Sequence, residues 1–240
     1  MGRYGVYYGA YYDPTYFLVV IGVVLCLLAQ LRIKSTFKKY SKVMSRSGMT
    51  GAQAAQRILQ LSGIYDVRIE HIRGELTDHY DPSSKVLRLS DSVYGSNSIA
   101  AIGVAAHECG HAVQHNKGYA PLKIRSALVP AANIGSKLGI PIIILGVLLG
   151  MNQLFIQIGI WVFALAVLFQ VVTLPVEFNA SGRALSMLGN YGLMENDETR
   201  SCRKVLSAAA LTYVAAAASS ILQLLRLIVL YGNNGNRRRR

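Results

Sequence analysis

The chain has 240 residues, of which 52% are hydrophobic and only 15% are charged. Its mean hydropathy of +0.33 is unusual for a soluble domain and predicts a membrane protein. A formal net charge of +13 would also suit a nucleic-acid-binding protein, but the basic residues flank apolar segments and form no separate basic domain. We therefore expect no nucleic-acid partner and assign the charge to contact with anionic lipid headgroups.

The first predicted elements are an N-terminal tail, residues 1–15, and a membrane span over residues 16–32. The tail lacks the basic start and cleavage site of a signal peptide. Its tyrosines at positions 4, 7, 8, 11, 12 and 16 fit an aromatic belt at the membrane surface, and a disordered tail is the alternative for the first ten residues. The segment Tyr16–Leu31 is apolar except for Gln30 and, with its flanks, is long enough to cross a bilayer.

The charge that follows this span predicts its orientation. Six lysines and arginines lie between residues 32 and 46, whereas almost no charge precedes the span. The positive-inside rule therefore places residues 33–126 in the cytoplasm. Within them, Thr50–Gln53 resembles a capping box ahead of an amphipathic helix that ends near Gly63, and residues 67–72 and 85–89 alternate as strands do.

The next helix carries His107-Glu-Cys-Gly-His111, the most informative segment of the chain. At 3.6 residues per turn both histidines project from one face, where they can bind one zinc ion beside Glu108 as a proton acceptor. The alternative is an ordinary helix with histidines on its polar face. His115 continues the face, but three such histidines cannot easily converge on one ion, so a hydrogen-bonding role is favoured. Val86–Ser90, which leads into this helix, is predicted as an edge strand that pairs with an extended substrate.

The rest of the chain predicts a membrane hairpin over residues 127–176 and a further helix over residues 208–231. The hairpin contains a short apolar run at 138–151, which residues 126–134 extend, and a longer run at 154–176. The last helix, interrupted by Arg226, is transmembrane or membrane-associated, and a basic tail follows at 232–240. Whether this helix crosses fully stays open, because crossing would carry the basic tail outward against the positive-inside rule.

Residues 177–207 return to the cytoplasmic side and supply a candidate third metal ligand. Glu177 follows the hairpin at the predicted first turn of a new helix, level with the metal-binding helix. The alternative is a helix-start carboxylate that the helix dipole favours, and the residues alone leave both interpretations open. Cys109 is two residues from either histidine and points away from their face. The three separate cysteines predict no disulfide framework.

The motif His107–His111, followed by a membrane hairpin and Glu177-Phe-Asn-Ala-Ser181, resembles the HtpX and CAAX prenyl protease group. The similarity is closer to the bacterial YugP-type membrane zinc metallopeptidases. The segments that carry it cover nearly the whole chain: Tyr12–Thr15, Lys34–Tyr40, Leu76–Pro82, Leu174–Ser181 and Ala208–Ala215. The chain departs from the CAAX-protease pattern at Ser181, where an aspartate would orient the first histidine. A serine can still hydrogen-bond an imidazole, although less strongly.

The resemblance implies a mainly α membrane protein of the bacterial plasma membrane, with about four transmembrane helices and an active site that faces the cytoplasm. It implies a zincin-like (gluzincin) cytosolic metallopeptidase core with a small β-sheet or hairpin. One Zn²⁺ per chain would be held by His107, His111 and Glu177, with a fourth position left for water and Glu108 as general base.

A second donor is needed for the oxyanion that forms at the scissile carbonyl. We consider His79, Tyr80 and Arg183 as candidates. The alternative for His79 and Tyr80 is that they only form part of a turn, and the alternative for Arg183 is contact with phosphate headgroups.

Three functions then compete. The first is a zinc endopeptidase that acts on peptides or membrane proteins, with a role in membrane-protein quality control. The second is an intramembrane-cleaving protease, but such enzymes usually add an aspartate from a distant span, and spans two to four contain none. The third is a non-catalytic zinc-binding scaffold or adaptor, which would need a fourth protein ligand near Glu177 and has no use for Glu108. We predict the endopeptidase. The sequence does not predict the substrate or the oligomeric state.

Overall fold

The computed structural model describes residues 13–232, so most of the predicted tyrosine belt and the basic tail from residue 233 onward lie outside the described residues. Within this range the chain is mainly helical. In chain order the elements are α1 Tyr16–Tyr40, α2 Gly51–Leu61, β1 Arg68–Ile72, β2 His79–Asp81, β3 Val86–Ser90, α3 Asp91–Tyr94, α4 Ile99–Asn116, α5 Ala120–Leu148, α6 Gln153–Asn190 and α7 Asn196–Leu227. A π-helical turn, Ile228–Gly232, continues α7.

Four of these helices, α1, α5, α6 and α7, are long and apolar enough to cross a membrane, which confirms the four predicted candidates. Helices α5 and α6 pack as a hairpin, and α1 packs along α7. The hairpin is held by close backbone approach at glycines, as is usual where small residues pack in membranes. A Cβ added to Gly135 would lie 2.5 Å from the carbonyl oxygen of Val162, and one added to Gly159 would lie 2.8 Å from that of Gly139.

Helix α5 begins at Ala120, ahead of the predicted membrane hairpin. One predicted helix boundary is wrong, because α6 runs without a break from Gln153 to Asn190. Glu177 therefore lies inside a long helix and not at the first turn of a new one. Pro175 does not end α6, because its fixed φ suits a helix and its missing N–H costs a single backbone hydrogen bond. Long helices in membranes tolerate such a loss when their neighbours pack closely.

Arg226, which seemed to interrupt the last span, is paired. Its guanidinium donates to the Asp13 carboxylate at 2.8 Å and lies 4.2 Å from the centre of the Tyr16 ring. The contact joins the beginning of α1 to the end of α7, so the two helices run antiparallel. The end of α1 consequently lies beside the beginning of α7, on the side of the molecule that carries α2, α4 and the three strands.

The small sheet differs from its predicted arrangement. Its order is β1–β3–β2, with β1 parallel and β2 antiparallel to β3. The prediction of Val86–Ser90 as an edge strand is therefore wrong, because β3 is paired on both sides. The strand His79–Asp81 has only three residues, too few for an alternating pattern to be recognised in the sequence. The free edges of the sheet belong to β1 and β2.

Helix α4 is the longest of the elements between α1 and α5, and it packs against α2, α6 and α7. Ser98 caps it by accepting a hydrogen bond from the Ala101 N–H at 3.2 Å. Its apolar beginning, Ile99–Ala106, is almost wholly buried in the main hydrophobic core. The first half of α4 is therefore fixed on several sides, and the turn that carries His107 and His111 follows directly after it.

Candidate metal centre

Two helices that meet in the core bring three potential metal ligands together. His107 and His111 project from α4 with their rings edge to face, 4.8 Å apart between centres. Glu177 reaches them from α6, with its Oε2 3.2 Å from His107 Nε2 and 3.7 Å from His111 Nε2. The three ligand atoms all lie within 4.8 Å of one another. His115 lies outside this group.

The outer nitrogen of each imidazole is held by a hydrogen bond. His107 Nδ1 lies 3.1 Å from the Ser181 hydroxyl, which is the contact expected for this serine. His111 Nδ1 lies 3.0 Å from Gln114 Oε1. Because a carbonyl oxygen only accepts, His111 Nδ1 donates this hydrogen bond, and Nε2, which faces Glu177, is the nitrogen that could bind a metal.

Gln114 is itself held in one orientation. Its amide nitrogen donates to the carbonyl oxygen of Val176 at 2.8 Å and to Asn179 Oδ1 at 3.0 Å. Arg183 Nε donates to the same Asn179 oxygen at 2.7 Å. A chain of polar contacts thus runs from Arg183 through Asn179 and Gln114 to His111. Gln114, which contacts His111 directly, lies on α4, but the groups that hold Gln114 in place come from α6, the helix that also carries Glu177.

The donor set fits a zinc ion. Two imidazole nitrogens and one carboxylate oxygen are the three protein ligands of many catalytic zinc sites, and such sites commonly fix each histidine through its other nitrogen. The electrostatic environment also favours a cation. Burial lowers the pKa of His111, but the carboxylates of Glu177 and Glu108 outweigh that effect and raise it. Glu177 itself is only 2% exposed, so its charge is little screened by water.

Gly110, inside the motif, allows the two ligand-bearing helices to approach. A Cβ added there would lie 2.6 Å from the carbonyl oxygen of Ala180, a backbone atom of α6. The distance between α4 and α6, and with it the distance between the histidines and Glu177, therefore depends on the absence of a side chain at this position.

We expect Gly110→Ala to destabilise the protein by about 1–3 kcal/mol, the usual cost of overpacking, and to weaken zinc binding because α6 must move away. Thermal unfolding in detergent and zinc content per chain measure the two effects. Gly182→Ala is the matched control, since Gly182 is likewise a glycine inside a helix, in α6, and nothing lies within 4 Å of an added Cβ. That variant should gain up to about 1 kcal/mol from helix propensity. Equal behaviour of the two variants would contradict the close approach.

Glu108 lies where two cavities meet. One cavity, of about 390 Å³, is lined by residues near β2, by the first turns of α5 and by Glu177. The other, of about 240 Å³, is lined mainly by α7 and α4, with two residues of α1. Both cavities share Asp78, Glu108 and Tyr213. Gln30, the polar residue of the first apolar run, lines the second cavity. His111 and Glu177 line the larger cavity and His107 lines the smaller one, so the two cavities, together called the cleft, flank the three candidate ligands.

The candidate oxyanion donors lie at different places. His79 lines the larger cavity, and its Nδ1 lies 2.9 Å from the carbonyl oxygen of Thr77. The Tyr80 hydroxyl lies 2.9 Å from His115 Nδ1, which gives His115 the hydrogen-bonding role that was favoured. Burial raises the pKa of Tyr80 to about 12, so its hydroxyl stays protonated at neutral pH. Arg183 lines neither of the two cavities and opens onto a separate one beside α2.

Two residues that the sequence did not single out also line the larger cavity. Arg125 Nη2 lies 3.9 Å from Glu177 Oε1, and Arg125 Nε is buried without a hydrogen-bond partner among residues 13–232. Tyr213 lines both cavities and is the single aromatic residue in the apolar run 208–230. Two features of the sequence could have pointed to them. Arg125 is a basic residue next to a predicted span, and Tyr213 is a lone tyrosine in an alanine-rich segment.

Asp78 stabilises the strand pair beside the site. Its carboxylate accepts hydrogen bonds from the Ser90 N–H at 2.7 Å and from the Ser90 hydroxyl at 2.9 Å. Burial raises the pKa of Asp78, against the effect of these hydrogen bonds. The contact fixes the segment that enters β2 against the end of β3, and so fixes one wall of the cleft.

Comparisons with known proteins agree with the geometry. A family model described as "putative neutral zinc metallopeptidase" matches residues 15–232. A protein of Bacillus subtilis strain 168 named "putative membrane protease YugP" is 50% identical over 199 residues, which cover 83% of this chain and 88% of that protein. No solved structure matches the chain.

Proposed function

The chain belongs to this family of neutral zinc metallopeptidases, and we propose from that premise that it is a zinc-dependent endopeptidase embedded in the bacterial plasma membrane. The observation that carries the proposal is the position of Glu108. A buried carboxylate beside a His–His–Glu ligand set, at the junction of two cavities, is suited to proton transfer during cleavage of a chain that passes through both. A purely structural zinc site would have no need of either feature.

In this proposal His107, His111 and Glu177 hold one Zn²⁺ per chain. When bound, zinc supplies the Lewis acidity that polarises a carbonyl and lowers the pKa of water. Glu108 accepts the proton of the attacking water and afterwards returns it to the leaving amine. Gln114 and Ser181 keep the histidines in the orientation that binding requires.

The developing oxyanion needs donors inside the cleft, and we propose Tyr213 and Arg125 for this role together with His79. Each lines the cavity that contains Glu108. Arg183 is better suited to a positioning role, because its contact with Asn179 supports the orientation of Gln114.

The substrate is an extended peptide segment, from an unfolded or a membrane-bound protein. The free edge of β2 can add one more strand, since its other side is occupied by β3. The second cavity has apolar walls, including Ile33, Val104 and Leu206. Because α7 forms much of that wall and α1 adds Gln30 and Ile33, this side of the cleft lies next to the two long apolar helices. We propose that this side takes an apolar stretch of the substrate that lies near the bilayer.

We further propose that residues 33–126 and 177–207 form a zincin-like core in the cytoplasm. The α5–α6 turn, the beginning of α1 and the end of α7 then face the opposite side. The positive charge after α1 supports this orientation. The antiparallel packing of α1 and α7 supports a common side for the end of α1 and the beginning of α7. Membrane-protein quality control is the role that suits a cleft at this depth.

The orientation predicts that cysteines placed at Ser84 and Asn196 react with a membrane-impermeant reagent from the cytoplasmic side only. Both residues are exposed. A cysteine at Leu149, in the α5–α6 turn, should react from the opposite side. The native Cys109 and Cys202 are buried and should react slowly. Labelling of Ser84 and Asn196 from opposite sides would contradict the shared location that the metal site requires.

The proposed activity is tested with purified protein in detergent and casein, an unstructured substrate. We expect cleavage that stops when zinc is removed by a chelator and returns when zinc, but not magnesium, is restored, since magnesium prefers oxygen ligands. If fully zinc-loaded protein cleaves neither casein nor membrane-protein substrates, the result would argue for the scaffold function instead.

A further inference from the structure

A further cavity, separate from those described above, is lined by four basic side chains. It has a volume of about 350 Å³ and lies between the end of α1 and the first part of α7. The charged and hydroxyl side chains around it are Arg32, Thr36, Lys39, Tyr40, Arg203, Lys204 and Ser207. No carboxylate lines this cavity. Its composition is that of an anion-binding site.

The four cations are not neutralised by the protein. Among residues 13–232, none of them takes part in a salt bridge, whereas the neighbouring Arg46 pairs with both Glu195 and Asp197. Acidic partners are therefore within reach on this side of the molecule and are used elsewhere. Four like charges around one cavity repel one another, and a bound anion would relieve that repulsion.

The cations converge from two helices. Arg32, Thr36 and Lys39 are spaced four and three residues apart and so share one face of α1. Lys204 and Ser207 are likewise three residues apart on α7. The positive-inside rule accounts for basic residues after a span, but it does not require that they face one cavity. Lys34 and Lys38, on the same stretch of α1, do not line it.

The position along the helices indicates an amphipathic ligand. On α1 the cavity begins where the apolar run ends at Leu31, and on α7 it ends where the apolar run begins at Ala208. One turn further into the apolar part, Leu28 is 59% exposed and Leu211 is 39% exposed. A phosphate group in the cavity would thus lie at headgroup depth, with exposed apolar side chains of both helices next to it.

We propose that this cavity binds the phosphate headgroup of an anionic phospholipid from the cytoplasmic leaflet, with the acyl chains lying along α1 and α7. The guanidinium groups of Arg32 and Arg203 can each donate two parallel hydrogen bonds to phosphate oxygens, and the two lysines add charge. Thr36 and Ser207 supply neutral donors. The site is separate from the metal centre and does not depend on the proposed peptidase activity.

The test compares two double variants of the full-length protein that remove the same charge from the same helix. Arg32→Gln/Lys39→Gln removes two cations of the cavity, and Lys34→Gln/Lys38→Gln removes two cations beside it. Binding is titrated in nanodiscs or detergent with phosphatidylglycerol, with zwitterionic phosphatidylcholine and with inorganic phosphate alone. Zinc content and thermal unfolding show that both variants are folded.

We expect the cavity variant to bind phosphatidylglycerol about 10- to 30-fold more weakly than the wild type, at about 1 kcal/mol for each basic residue near the headgroups. The control variant should change by about threefold or less, and phosphatidylcholine should compete poorly. Equal losses in the two variants would overturn the proposal in favour of a diffuse surface charge. Inorganic phosphate that binds as tightly as the lipid would overturn the lipid assignment in favour of a soluble anion.

Discussion

Glu108→Gln should lower the rate of peptide hydrolysis by about 10²–10⁴-fold and leave the fold and the bound zinc unchanged. Glu108 is buried beside the ligand set but is not one of the three residues whose ligand atoms converge. Glutamine has the same shape and can occupy the same space, but it cannot accept the proton of the attacking water. The loss should therefore fall on kcat and on kcat/KM by similar factors, because substrate binding itself is not removed.

The measurement is cleavage of a fluorogenic peptide, with zinc content determined on the same samples. Glu75→Gln is the matched control, because it makes the same chemical change at an exposed residue outside both cavities of the cleft. That variant should keep the wild-type rate. An unchanged rate in zinc-loaded Glu108→Gln protein would exclude Glu108 as the general base. In cells, proteins that accumulate with Glu108→Gln but not with Glu75→Gln would identify the substrates.

The local chemistry of the site was accessible from the sequence because it is encoded over short distances. The spacing of His107 and His111 depends only on the geometry of one helix turn, and the contact of Ser181 with His107 follows from the family pattern around Glu177. The four apolar helices were likewise evident, since a span is a local property of about twenty residues.

What the sequence did not reveal depends on contacts between distant segments. Nothing in the pattern of His79–Asp81 indicates that these three residues pair with β3 and leave it without a free edge. Gln114 is one polar residue among several in its helix until α6 supplies Val176 and Asn179 as partners. Tyr213 acquires a role only because α7 passes beside α4. Such residues have no periodicity of their own, so the sequence analysis had no physical reason to prefer them.

The continuity of α6 gives these contacts a common cause. Glu177, Asn179 and Ser181 lie within about one turn of a single helix, whose membrane-spanning half is packed closely against α5. Glu177, the serine that contacts His107 and the groups that hold Gln114 against His111 therefore move together. A helix that began at Glu177, as predicted from the sequence, would have held them less firmly. The membrane hairpin thus positions the chemistry as well as anchoring the protein.

This arrangement predicts a graded loss of zinc along the set of residues around His111. His111→Ala removes a ligand and should leave the purified protein without zinc, whereas the wild type and Glu108→Gln should hold about one zinc per chain. Gln114→Ala keeps all three ligands but removes the hydrogen bond that holds the His111 imidazole, so the ring can rotate. This variant should weaken zinc binding by about 10- to 100-fold. Arg183→Ala acts one contact further away, through Asn179, and should weaken it less.

Zinc affinity is measured by competition with a chromophoric chelator in detergent, and thermal unfolding with and without zinc separates a lost ligand from a lost fold. Because a ligand that binds only the folded state stabilises it, the wild type and Arg183→Ala should gain thermal stability with added zinc, and His111→Ala should not. Asn190→Ala is the control for polar residues of α6, since Asn190 is exposed and its amide donates only to Ser186. Stoichiometric zinc in a His107→Ala/His111→Ala double variant would overturn the assignment of the site. A Gln114→Ala affinity equal to that of Asn190→Ala would show instead that the histidines need no orienting partner, and that the burial of the site alone holds them in place.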